Sequence, residues 1–152
     1  MKVLLPDPSL VVLVGPSGAG KSTFARRHFK PTEVLSSDAC RALVSDDERN
    51  MEATDDAFAV LHLIARKRLA AGKLTVIDAT NVQPESRESL IALAAEYRRP
   101  AVAVVLDLPE ALCRERNLER RDRTVAPGII RTQLQQLHQW FAGLEEIGRA
   151  HV

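Results

Sequence analysis

The chain has 152 residues, 45% apolar and 27% charged, which suffices for one domain with a substantial core. Its net charge of +1 excludes a polycation, so any nucleic-acid contact must come from a local patch. No apolar run approaches the ~20 residues of a membrane span and the N-terminus lacks a signal-peptide pattern, so the cytoplasm is the default compartment.

Residues 1–9 hold Pro6 and Pro8 and read as a lead-in. Leu10 to Val14 is an apolar, mostly β-branched run that stops at Gly15, the pattern of a buried strand. Gly15 to Ser22 then match G-x-x-x-x-G-K-[ST] in full, through Pro16, Ser17, Gly18, Ala19, Gly20 and Lys21. The glycines let the backbone turn sharply and bring its N–H groups close to an anion. A helix predicted from Lys21 to His28 adds the positive end of its dipole. In this pattern the lysine reaches the β- and γ-phosphates of a nucleoside triphosphate and the Ser22 hydroxyl meets Mg²⁺. The loop alone leaves open whether the phosphate goes to water or to a substrate.

Glu33 to Ser36 reads as a short second strand finishing at Asp38, followed by a helix over 39–43. The acidic stretch Ser45 to Asp56 reads as a loop into a helix over 54–71. Ala57, Leu61, Ile64, Ala65 and Arg68 share a face of that helix by spacing, and Gly72 sits at its C-terminal cap. Residues 74–78 form a third strand, and Pro84 opens a helix with Leu90, Leu93, Ala94 and Tyr97 on its inner stripe. Residues 101–108 are a fourth strand, apolar as in a parallel sheet. Pro109 starts a helix that runs into an arginine-rich segment over 113–127, and a last helix follows with the stripe Ile130, Leu134, Leu137, Phe141 and Leu144. Arg149 to Val152 reads either as a short tail or as the start of a fifth strand. On the second reading the chain is a module of a longer polypeptide.

Strands alternating with helices give an α/β fold, a parallel sheet of four to five strands with helices on both faces. Ligands in such sheets bind at the carboxyl ends of the strands. Asp38, Asp78 and Asp107 each end a strand on this reading and so gather at that edge. Phosphoryl transfer to a hydroxyl requires a base near the hydroxyl and an anionic contact to Mg²⁺, which Asp38 and Asp78 fit. Asp107 stands before Leu108 and Pro109 and reads as a helix cap. Arg41 follows Asp38 by one helical turn. Spacing alone leaves the two as either a surface ion pair or a nucleophile-activating carboxylate beside an acceptor-phosphate contact. Arg116 and Arg120 share a helix face, and two guanidinium forks on one face suit a triphosphate. Cys40 and Cys113 have no metal-ligand spacing and read as free buried thiols, and the four histidines are scattered. No N-K-x-D or D-x-x-G occurs, which disfavours a guanosine triphosphatase.

The runs GPSGAGKSTFA (15–25), LSSDACRALVSDD (35–47), TVIDATNV (75–82) and LDLPEALCRERNLERRDRTVAP (106–127) resemble the kinase domain of the bacterial polynucleotide kinase-phosphatase family. The likeness to the phage polynucleotide kinase is more distant. The resemblance implies a P-loop kinase fold over 1–152 with a helical lid at about 113–130, the whole forming the N-terminal module of a multidomain protein with phosphatase and ligase modules. It implies ATP as phosphate donor, Mg²⁺ or Mn²⁺ as cofactor, and a 5′-OH RNA or DNA end as acceptor, with no membrane partner. ATP contacts would run from Gly15 through Ser17 and Gly18 to Lys21, Ser22 and Thr23, with lid arginines Arg116, Arg120 and Arg123. Asp38 would be the general base and Arg41 the contact to the acceptor's adjacent phosphate, with Lys21, Arg116 and Arg120 also catalytic and Ser22 at the metal, where the strand-end position of Asp78, and not the resemblance, puts that carboxylate too. In the phage enzyme the third-strand aspartate falls one residue later, where this chain has Ala79. A small-molecule kinase of gluconate or shikimate type, or a regulatory module that hydrolyses ATP, are the alternative readings.

Overall fold

The computed structural model describes residues 4–16, 20–79, 84–106, 111, 115, 131 and 148–151. Five strands form one parallel sheet: β1 (Leu10–Val14), β2 (Val34–Ser36), β3 (Thr75–Asp78), β4 (Ala101–Val105) and β5 (Gly148–His151), in the order β2-β3-β1-β4-β5. The central strand β1 is fully buried, which is why its sequence is a continuous apolar run with no alternation. The fifth strand pairs Val102 to Val105 of β4 with Gly148 to His151.

Four helices are described: α1 (Lys21–His28), α2 (Ser37–Ser45), α3 (Thr54–Ala70) and α4 (Pro84–Glu96). They divide between the two faces of the sheet. Ala57, Leu61, Ala65 and Leu69 of α3 and Leu90, Leu93 and Ala94 of α4 pack on Leu10, Val12, Val14, Ile77, Ala103 and Val105. On the other face α1 lays Ala25 and Phe24 against Val11, Leu13, Val76 and Val104. The chain leaves β1 for the β3 side of the sheet and returns across β1 to β4, which makes the carboxyl edge around β1 the place where such folds bind ligands.

Several boundaries differ from the sequence expectation. Strand β2 stops at Ser36, and Asp38 lies in the first turn of α2, not at a strand end. The cause is the Ser36 side chain, which accepts a hydrogen bond from the Ala39 amide at 3.2 Å and starts the helix two residues early. The acidic stretch before α3 contains a 3₁₀ turn, Met51–Ala53, opened by Asn50, whose side chain accepts from the Glu52 amide. On α3 the fourth member of the core stripe is Leu69. The guanidinium of Arg68 instead donates from Nη2 to the Leu74 carbonyl at 2.8 Å. Strand β4 ends at Val105. Asp107, Cys113, the lid at 113–130 apart from residue 115, and the stripe residues Ile130, Leu134, Leu137, Phe141 and Leu144 lie outside the described residues. No helix among the described residues is long and apolar enough to cross a membrane.

Both α3 and α4 end in the same closing motif. Gly72 and Lys73 donate to Leu69 and Arg68, and Arg98 and Arg99 donate to Ala95 and Ala94, so the last carbonyls of each helix find partners. The motif requires a left-handed residue, which is Gly72 (φ 71°) in one case and Arg98 (φ 55°) in the other. A Cβ on Gly72 would meet only the flexible end of Arg99 at 3.4 Å, so the obstacle to a side chain there is backbone strain. Gly72→Ala is therefore expected to cost about 1 kcal/mol, and Arg98→Gly to recover part of that strain, read as opposite shifts of the urea midpoint.

Burial, with the neighbouring Arg66 charge second, holds the half-buried His62 of α3 below its ordinary 6.5. Its folded pKa is the lower one, so below about pH 6.5 the unfolded chain takes up the proton first. The stability tied to neutral His62 is thus complete above that pH and is lost as pH falls through the folded value. Urea midpoints at pH 7.5 and 5.5 should show a smaller acid loss for His62→Gln than for the natural chain.

Candidate active site

Parallel pairing brings the carboxyl ends of β1, β2 and β3 to one edge. Leu13 lies opposite Asp78 and Ser36 opposite Asp78 from the other side, so the exits of β1 and β2 each stand one strand spacing from that of β3. Gly15 and Pro16 leave β1 and are buried, and Gly20 caps α1 with a left-handed backbone (φ 95°, ψ 20°). That conformation fits glycine and lets the chain reverse into the helix N-terminus. Ser17, Gly18 and Ala19 lie outside the described residues.

Lys21 is only 9% exposed, and its ammonium donates to the carbonyls of Gly15 and Pro16, each at 2.9 Å. The charge is thereby held against the first two residues of the loop. One residue on, the Ser22 hydroxyl donates to Asp78 Oδ2 at 2.8 Å. Asp78 is the last residue of β3 and 7% exposed, and α4 begins at Pro84, so it does not cap that helix. A hydroxyl and a carboxylate in contact are the oxygen donors a small hard cation takes, with its remaining positions left to water and phosphate. Among the described residues no group of three or more histidines, cysteines or acids could hold a metal by itself. Thr23 is exposed on the first turn of α1, where its hydroxyl accepts from Arg26 Nη2 at 3.4 Å.

The second half of the site lies on α2. Arg41 Nη1 donates to Asp38 Oδ1 at 2.6 Å, a charge-assisted bond at the short end of its range. The partners are unequally placed. The Asp38 side chain is 30% exposed, whereas Arg41 is 6% exposed, too deep for a surface ion pair. Arg41 Nε also donates to Thr54 Oγ1 at 3.2 Å. Nη2 is left without a partner among the described residues. A desolvated guanidinium with a nitrogen left unpaired by the described residues has the chemistry to take an anion. Cys40, beside Arg41, is a free buried thiol whose pKa is pushed up by burial and partly restored by the Arg41 charge.

Two residues had no role in the sequence reading. Thr54 looked like a residue at a helix start, and no local pattern ties it to Arg41. Arg87, in the first turn of α4, is buried on the stripe of Leu90 and Ala94, where a helical charge pattern would put an exposed residue. Burial lowers its pKa against the opposing charges of Glu88 and Glu85. Arg116, Arg120 and Arg123 lie outside the described residues.

A central-strand exit into a glycine-rich turn, a lysine folded over that turn and a serine–aspartate contact between α1 and β3 define a P-loop protein with a kinase-type α/β fold. The model of the AAA_33 family, an AAA domain, matches residues 10–144, and the chain belongs to that family. Transcription factor bHLH140 of Arabidopsis thaliana is 31% identical over 112 residues, which are 73% of this chain and 11% of that protein. The Pnkp1/Rnl/Hen1 RNA repair complex contains a chain that matches with a TM-score of 0.76 at 24% identity, over 94% of this chain and 47% of that one. A gluconokinase from Sinorhizobium meliloti 1021 matches with a TM-score of 0.61 at 22% identity, over 97% and 85%. The chain thus spans about a tenth of the curated relative and about half of the RNA repair chain. These likenesses carry the fold, and the P-loop of this family implies nucleotide binding.

The Ser22–Asp78 contact can be weighed directly. A double-mutant cycle on Ser22→Ala and Asp78→Ala, read by urea denaturation, should give a coupling energy of about 0.5–3 kcal/mol, as expected for neighbours sharing a partly buried hydrogen bond. Additive losses would mean that the contact does not form in solution.

Proposed function

We propose that this domain transfers the γ-phosphate of ATP to the 5′-hydroxyl end of RNA or DNA. The observation that carries the reading is the Asp38–Arg41 pair. It places a partly exposed carboxylate 2.6 Å from a buried guanidinium whose Nη2 has no partner among the described residues. A hydroxyl against Asp38 and an adjacent phosphate against Arg41 Nη2 is the arrangement a polynucleotide end presents. A neutral sugar or polyol has no anion to give Arg41, whereas gluconate or shikimate offers a carboxylate. The pair thus selects an anionic acceptor, and the choice between these rests on the resemblance and the assay below. The resemblance of 35–47 and 106–127 to the end-healing kinases and the structural likeness to the RNA repair complex support the same reading.

The residues then divide the work. The acceptor hydroxyl loses its proton to Asp38 as its oxygen bonds to the γ-phosphorus and the bond to the β-phosphate oxygen breaks, leaving ADP. Lys21 exchanges its loop carbonyls for phosphate oxygens. Ser22 and Asp78 would hold Mg²⁺, whose chemistry is to neutralise charge on the β- and γ-phosphates. Arg116 and Arg120, with Arg123 beside them, would meet the donor phosphates from the lid.

A small-molecule kinase of the same fold is the competing reading, supported by the match to nearly the whole length of a gluconokinase. One assay separates them: label transfer from γ-labelled ATP to a 5′-OH oligonucleotide, with a 5′-phosphorylated strand and gluconate as controls. Transfer to the 5′-OH strand alone is expected. Transfer to gluconate alone, or hydrolysis indifferent to every acceptor, would refute the proposal. With the oligonucleotide as acceptor, Asp38→Ala should lower kcat by about 10²- to 10⁴-fold while ATP binding by calorimetry stays within twofold. Full activity in that variant would remove Asp38 from the role of base.

A further inference from the structure

We infer that Thr54 is a positioning residue for the acceptor site, fixing the guanidinium of Arg41 so that Nη1 faces Asp38 and Nη2 faces the acceptor's phosphate. The inference rests on the reading of Arg41 as an acceptor-phosphate contact and adds to it the residue that sets its orientation.

The geometry begins with the guanidinium itself. It is planar, with five N–H donors in fixed directions. One contact leaves the plane free to turn about that bond, whereas two contacts from different directions fix it. Asp38 supplies the first, at Nη1 from the same helix one turn away. Thr54 supplies the second, at Nε from the neighbouring helix α3, thirteen residues along the chain. With both made, the direction of Nη2 is determined, and Nη2 is the nitrogen left without a protein partner among the described residues.

The setting of Thr54 fits such a role. It is the first residue of α3, where its own backbone N–H closes the preceding 3₁₀ turn on the Met51 carbonyl. A threonine at the start of a helix commonly caps it with its hydroxyl oxygen. In α3 the cap position is Ala53, which makes no side-chain cap, and the Thr54 oxygen accepts from Arg41. The anchor is a well-seated element, since α3 packs against α2 and is held in the core by Ala57, Leu61, Ala65 and Leu69. A contact from the 46–50 connection could not fix a plane to the same tolerance. A threonine also suits the burial of Arg41. It accepts the Nε proton without adding a second negative charge that would hold the guanidinium against an incoming phosphate.

The test uses Thr54→Val, which keeps the branched shape and loses the acceptor oxygen, and Thr54→Ser, which keeps the oxygen. With ATP and a 5′-OH oligonucleotide, Thr54→Val should raise the KM for the oligonucleotide about tenfold, with kcat and the KM for ATP within about twofold. Thr54→Ser should stay within about twofold of the natural chain. An unchanged oligonucleotide KM in Thr54→Val, or a Thr54→Ser variant as weak as it, overturns the inference. So does an equal rise in the KM for ATP, which a general loosening of the fold would give. A second readout is independent of activity: hydrogen exchange of the Arg41 Nε–H by NMR, assigned with Arg41→Lys. Slow exchange in the natural chain and Thr54→Ser, with fast exchange in Thr54→Val, supports the positioning role. Fast exchange in the natural chain refutes it. Should 5′-OH ends prove not to be phosphorylated at all, the end-kinase reading fails while this measurement still decides the role of Thr54.

Discussion

Every strand of the sheet points the same way, and the position of each chemical group follows from that constraint. A parallel sheet delivers all its strand exits to one edge, and here β1, β2 and β3 are neighbours in space though far apart in sequence. The exit of β1 becomes the glycine-rich turn, the exit of β3 is Asp78, and the exit of β2 is the serine that caps α2. The contact from Ser22 to Asp78 spans 56 positions of sequence, yet the register of β1 against β3 makes it short. Burial of β1 on both faces holds that register, because a slip of one residue would exchange Val12 and Leu13 between two differently packed cores.

The two halves of the site are built on different principles. The nucleotide half is backbone-driven: a loop between strand and helix, a left-handed glycine and the start of a helix set the position of one lysine and one serine. The α2 half depends on side chains packed between helices, where a buried arginine needs hydrogen-bond partners to stay charged away from water. Asp38 and Thr54 supply those partners. The first half therefore recurs across many proteins of this fold, while the second can change with a few substitutions and, on the proposed reading, would carry the choice of acceptor.

This division also explains what could be read without the structure. Strands β1, β3 and β4 are legible because strands buried on both faces read as unbroken apolar runs, and α3 is legible because Leu61 and Ala65 repeat at helical spacing. The phosphate loop is local in sequence, and so is the pairing of Asp38 with Arg41 at one helical turn. The depth of that pair is not local. Nothing within residues 37–45 says that Arg41 is covered by α3, which is why an exposed ion pair and a buried anion site looked alike. The Thr54 contact and the burial of Arg87 were illegible for the same reason. The start of α2 was misplaced because a side-chain cap at Ser36, worth about 1 kcal/mol, begins the helix at Ser37 and puts Asp38 in its first turn.

The ammonium of Lys21, resting on the carbonyls of Gly15 and Pro16, has a consequence for how an anion would enter. A lysine in solvent must be gathered from many rotamers before it can serve, and that ordering weakens binding. Here the ordering is done during folding, and the arriving phosphate takes over from two carbonyl oxygens that already direct the charge. On the proposed reading, entry would be an exchange of one set of acceptors for another at an ammonium that is already in place. The same exchange sets the loop free at the two carbonyls the lysine leaves. Occupation by an anion and the conformation of residues 15 and 16 are thus two sides of one equilibrium.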